Sequence, residues 1–224
     1  FGIGQIPTGD KDPFALRRHA LGLIRMLIER ELPLKPAELL SSAFKAFPAG
    51  HGQAQAELAF FLRERLVGYL REAGYSAQEV EAVVEARPEQ WSEFPKRLAA
   101  VRAFQALPEA QALAAANKRV ANILKKSEAG GAAGIDTALL HEPAEQALYE
   151  ALKTVAPKSE AAFAGGDYAA SLQALAALKT PVDAFFDKVM VNADDPALRA
   201  NRLGLLVQLH AAMNRVADLS RLAS

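Results

Sequence analysis

Two stretches of this 224-residue chain carry side chains whose types and spacing can do chemistry. The first is "NKRVANILKK", residues 117–126. Val120, Ile123 and Leu124 form an apolar stripe. Arg119, Asn122 and Lys126, spaced i, i+3 and i+7, share another face, with Lys118 and Lys125 beside it. Four cations stand here with no acid among them. A face of this kind tracks phosphates, and each phosphate neutralised adds about 0.7–0.9 to the salt slope of binding. A solvated helix end has the same composition, because cations complement the helix dipole there. The second stretch is "FFDKVMVNADDPALRANRL", residues 185–203. Asp187, Lys188, Asn192, Asp194, Asp195, Arg199, Asn201 and Arg202 crowd around a single break. Asp195-Pro196 reads as a helix cap, which accounts for one acid and not for the set. Arg199 and Arg202, three apart, are expected on the same side of the following helix. Phe185 and Phe186 suit the core better than a stacking platform. Mixtures of acceptors, donors and guanidinium groups suit single-stranded RNA loops, whose splayed bases offer their Watson–Crick edges. A carboxylate accepts from a cytosine amino group, and arginine contacts phosphate or stacks on a base.

The elements that position these residues are helices. The chain contains 47 alanines, and half of it (51%) is hydrophobic. Alanine is the strongest helix former, while β-branched and aromatic residues are sparse. The expected fold is all-α, an irregular multi-helix bundle of two packed helical subdomains with nine or ten helices. Asp12-Pro13 opens the first, with Phe14, Leu21, Ile24, Leu27 and Ile28 on one face. Pro36 starts a short second helix, and a long one follows over about 54–73, stopped by Gly74. Ser76 and Glu79 have capping-box spacing. Further helices are expected over about 94–107, 108–127, 143–155 and 167–179. Thr180-Pro181 is expected to cap the next, which ends at the break near Asn192. The last helix is expected to run from Asp195 to about Leu219. "EAGGAAG", residues 128–134, is expected to be the most flexible segment.

Several chemistries find no footing. There is no cysteine, and the four histidines are scattered with no HExxH spacing, so no metal site is expected. The Gly-x-Gly near the start follows no strand and precedes no GKS, so neither a phosphate loop nor a dinucleotide fingerprint is expected. No serine has a visible His and Asp partner, and no catalytic residue is assigned. No long apolar run predicts a membrane span. The 26 basic and 26 acidic residues balance, which argues against strong sequence-blind binding to nucleic acid. The first residue is Phe, and the opening reads as the middle of a loop cut from a longer chain.

Three motifs taken together, "GDKDPFALRRHALGLIRMLIE", "LAAANKRVANILKKS" and "FFDKVMVNADDPALRANRLGLL", resemble the C-terminal part of the β subunits of bacterial glycyl-tRNA synthetases. The resemblance covers nearly the whole chain. It implies residues 1–107 as a helical body that follows an upstream HD-like domain, and residues 108–224 as a DALR-type anticodon-binding domain. It implies tRNA-Gly and a catalytic α subunit as partners, in an α2β2 heterotetramer of the cytoplasm with no membrane association. ATP and magnesium would be used by that α subunit, with no cofactor in this segment. Glycine anticodons carry cytosine at the second and third positions. On this reading Lys118, Arg119, Asn122, Lys125, Lys126, Asp187, Lys188, Asn192, Asp194, Arg199, Asn201 and Arg202 form the anticodon-loop surface. Asp194 or Asp195 would read a cytosine amino group. Asn117 and Asn122 fit equally as buried caps or as bridges between helices. The alternative is a non-catalytic helical scaffold that mainly docks the partner subunit.

Overall fold

The computed structural model describes residues 1–12, 14–48, 54–127 and 134–223. Among these, ten α-helices and four short 3-10 turns are joined by loops, and the single extended pairing is an isolated bridge between Thr8 and Lys11. The expected all-α architecture is what the chain adopts. It divides into two compact units, Phe1–Leu98 and Ala99–Ser224.

The first unit holds α1 (Leu16–Glu29), α2 (Pro36–Lys45), α3 (Gln55–Glu72), α4 (Ala77–Glu85) and the start of α5 (Phe94–Gln105). Asp12 caps α1, its two carboxylate oxygens accepting from the Leu16 and Arg17 amides at 2.8 and 3.0 Å. The helix begins at Leu16, and Pro13 lies outside the described residues. Phe14 precedes it and is 54% exposed, whereas Ile24, Leu27 and Ile28 are buried as the spacing requires. Gly74 stops α3 at φ +91°, in the left-handed region that favours glycine. Ser76 and Glu79 make the expected reciprocal capping box.

The second unit holds α6 (Ala110–Lys126), α7 (Pro143–Ala164), α8 (Tyr168–Ala174), α9 (Lys179–Lys188) and α10 (Pro196–Met213). Six consecutive residues of α10, 201–206, are buried. A helix lying on a surface buries only a stripe, so over 201–206 α10 is enclosed on all sides, while its first turn is largely exposed.

In the second unit, three boundaries differ from the sequence expectation. Helix α7 does not stop at Val155 but runs through Pro157 to Ala164. An interior proline forfeits one backbone hydrogen bond. Pro157 and Lys153, whose carbonyl loses that bond, are both exposed, while Val155 and Ser159 continue the buried face. Ser159 and Ser171 bind each other through their hydroxyls at 2.9 Å, tying that extension to α8. Thr180 does not cap a helix. The chain passes from α8 through a 3-10 turn, Leu175–Leu178, directly into α9, and Pro181 falls in the first turn, where no amide is needed. Helix α10 ends at Met213 and not near Leu219. Asn214 folds the chain back by donating to the His210 carbonyl at 2.7 Å and accepting from the Leu219 amide at 3.1 Å. The glycine-rich residues 128–133 lie outside the described residues.

The cap expected at Asp195 is present, its Oδ1 accepting from the Ala197 and Leu198 amides at 2.7 and 3.3 Å. Asp195→Ala is expected to lower stability by about 1 kcal/mol, and Asp195→Asn by only a few tenths. Urea midpoints of the two variants check this. An equal loss in both would point to a role other than capping.

Candidate nucleic-acid interface

Helix α6 exists because an apolar stripe, Leu113, Ala114 and Val120, is buried against the rest of its unit. That packing turns the opposite face outward. Lys118, Arg119, Asn122, Lys125 and Lys126 are all exposed. Ala115, Lys118, Arg119, Asn122, Ile123 and Lys126 line an open depression of about 350 Å³. Among the described residues, no carboxylate pairs with any of the four cations of this face. Asn117 points the other way. It is fully buried and exchanges side-chain hydrogen bonds with Asn214 at 2.8 and 3.2 Å. Of the two alternatives open for Asn117, the bridge between helices is the one realised.

The joint between α9 and α10 leaves α9 through extended Val189, bends at Val191 and Asn192, and is closed by the Asp195 cap. Val189 and Val191 are buried, and Asp187, Lys188, Asn192, Asp194 and Arg199 are exposed. Arg199 lies back over the turn, donating from Nη1 to the Ala193 carbonyl at 3.2 Å. Asp195 is committed through one oxygen to the α10 amides. Asp194 beside it has no hydrogen-bond partner among the described residues, so of the two acids it is the one whose whole carboxylate is free.

Asn201 and Arg202 face inward. Arg202 is 7% exposed and pairs with Glu145, which is 0% exposed, through Nε–Oε1 at 2.5 Å. Its Nη1 donates to the Met190 carbonyl at 2.8 Å. The second oxygen of Glu145 accepts from the Glu142 amide at 2.8 Å, so both partners of this buried pair are hydrogen-bonded. Asn201 grips one backbone residue twice, accepting from the Asp136 amide at 2.8 Å and donating to the Asp136 carbonyl at 3.0 Å. The spacing argument placed Arg199 and Arg202 on one side of α10. The second arginine lies one turn deeper, where α10 is enclosed. These two residues fasten α10 to the start of α7, to the segment before it and to the joint.

One contact brings the two stretches together. The guanidinium of Arg119, on α6, sits 4.2 Å above the centroid of the Phe186 ring, on α9. Phe186 in turn meets the buried Phe185 edge-on at 5.6 Å. Such a stack is worth about 0.5–1 kcal/mol at an exposed site, and it orients the guanidinium beside the joint. Two adjacent phenylalanines at helical spacing gave a core reading that holds for Phe185 only. Glu145 escaped notice in the sequence, although its spacing from Glu142 at the start of α7 is that of a capping pair.

Residues 1–85 match the family profile described as glycyl-tRNA synthetase beta subunit. Residues 113–219, which contain both stretches, match that of the DALR anticodon binding domain. The chain is 65% identical over its whole length to the glycine–tRNA ligase beta subunits of Dechloromonas aromatica and Leptothrix cholodnii, covering 32% and 31% of those proteins. That of Thiobacillus denitrificans is likewise 65% identical, with 32% covered. The chain thus spans about a third of the length of the curated relatives it matches. Motifs, helical fold and matched relatives agree, and the chain belongs to the glycyl-tRNA synthetase beta-subunit family.

Proposed function

We propose that this chain supplies the anticodon-loop surface of a glycine–tRNA ligase beta subunit. The observation that carries the reading is the Arg119–Phe186 stack, which joins a cationic helix face with no carboxylate partner among the described residues to a polar joint within the DALR-matching residues. Lys118, Arg119, Lys125, Lys126, Lys188 and Arg199 meet phosphates or stack on bases. Asn122, Asp187, Asn192 and Asp194 meet base edges, with Asp194 accepting from a cytosine amino group. Asn201 and Arg202 act from inside as positioning residues. The chain works within a complex whose α subunit carries the glycine- and ATP-dependent chemistry with its magnesium, in an α2β2 assembly of the cytoplasm. No helix among the described residues is long and apolar enough to cross a membrane.

Supporting this reading is the sign of the surface. Six exposed cations stand near three exposed acids, Asp187, Asp194 and Asp195. A chain that is neutral overall thereby concentrates positive potential where an RNA loop would lie. The test is titration of tRNA-Gly against the assembled complex. Loss of affinity on removing the α6 cations and on replacing the anticodon cytosines supports the reading. Indifference to both overturns it.

A further inference from the structure

We propose that Met190 is a contact for an unstacked nucleobase of the bound RNA loop, a role that rests on the RNA-binding reading above. Met190 is 74% exposed between Val189 and Val191, which are 7% and 9% exposed. Val189 has extended backbone angles, φ −109° and ψ 123°. From an extended residue, the next side chain points to the opposite side, and the burial pattern shows that alternation across 189–191. With both valines in the core, the methionine between them is forced out.

It cannot swing back. The Met190 carbonyl accepts from Arg202 at 2.8 Å, and Arg202 is itself held by the buried Glu145. A buried ion pair therefore fixes the backbone from which this apolar side chain projects. Single exposed apolar residues are common on protein surfaces, but this one is set apart within its unit. Among the described residues, the other exposed large hydrophobic side chains, from Ile3 to Phe60, all lie in Phe1–Leu98, and Met190 alone falls within Ala99–Ser224.

The surroundings favour RNA over protein. A protein-docking surface is a contiguous apolar patch. Here one thioether stands in sequence between exposed Lys188 and Asn192, in a joint that also carries exposed Asp194 and Arg199. A thioether is polarisable and flexible, and it contacts the faces and edges of flat π systems favourably. A splayed base presents such a face, while its phosphate and edges meet the neighbouring cation and amide.

The experiment titrates tRNA-Gly against the assembled synthetase at fixed low salt. Met190→Ala is expected to weaken binding about fivefold to tenfold, the low end for losing one stacking contact. Met190→Leu, similar in volume and apolar, is expected to stay within about twofold of wild type. A second arm uses transcripts with one abasic position at a time in the anticodon loop. At the contacted position wild type and Met190→Ala bind alike, and elsewhere they differ, which is the result that supports the contact. If Met190→Ala weakens every abasic transcript equally, no single base is touched and the proposal is overturned. If Met190→Ala binds as wild type while Arg119→Ala is weakened, the RNA-binding reading stands and the Met190 contact does not. If neither variant changes affinity, both readings fall.

Discussion

Arg202→Ala is expected to destabilise the Ala99–Ser224 unit by about 3–5 kcal/mol, the cost of stranding one partner of a buried ion pair. Glu145 has no access to water, and without the guanidinium only the Glu142 amide answers its carboxylate. Removal also frees the Met190 carbonyl from its donor. Glu145→Ala is expected to cost a similar amount, because it leaves a buried guanidinium unpaired. Replacing both partners with apolar residues, Arg202→Met with Glu145→Leu, is expected to recover most of the loss. Urea unfolding of the two single variants and the double variant measures the coupling. Additive losses with no recovery would show that the two side chains do not act as a pair. This expectation separates Arg202 from Arg199, three residues earlier and exposed, whose replacement by alanine should change stability by less than about 0.5 kcal/mol.

Replacing Lys118, Arg119, Lys125 and Lys126 together by glutamine is expected to weaken tRNA-Gly binding by about a hundredfold at low salt. It is also expected to reduce the slope of log affinity against log salt by about 3, four contacts at 0.7–0.9 each. None of the four is engaged with a carboxylate among the described residues, so folding should be little changed. The wild-type and variant curves should converge at high salt, where counterion release no longer drives binding. Arg119→Lys is a finer probe. It keeps the charge and loses the planar stack on Phe186. Its affinity should fall between wild type and Arg119→Ala, with the salt slope unchanged. A slope that is the same in the fourfold variant would mean that α6 does not meet phosphate.

How much of this the sequence made legible depends on how local each feature is. The caps at Asp12, Ser76 and Asp195 were readable because the side chain bonds amides two to five residues away. The cationic face of α6 was readable because helical periodicity alone separates it from Val120 and its neighbours. Arg202 was not readable, since its partner Glu145 lies 57 residues away and spacing cannot say which of two arginines is enclosed. Asn201 likewise looked like a polar surface residue until its clamp on Asp136 was seen, 65 residues back. Pro157 shows the limit of local rules from the other side. A strong local breaker was overridden by burial of the residues on either side. The Arg119–Phe186 stack joins two helices whose sequence positions give no hint of contact. Both candidate stretches were therefore found from the chain itself. Which of their side chains face solvent, and which hold the helices, was decided by long-range packing.

The most direct test of the anticodon-loop assignment is discrimination among anticodons by the assembled synthetase. Affinity should be measured for tRNA-Gly and for transcripts in which the second or third anticodon cytosine is replaced by uracil. That change turns an amino donor into a carbonyl acceptor. At one of these positions it is expected to weaken binding about tenfold or more, within the usual cost of a mismatched direct contact. Asp194→Asn should shrink that difference, because the amide can donate to uracil as well as accept from cytosine. Equal affinity for all the transcripts, with the α6 salt dependence intact, would contradict base reading by this surface and leave it a phosphate contact alone.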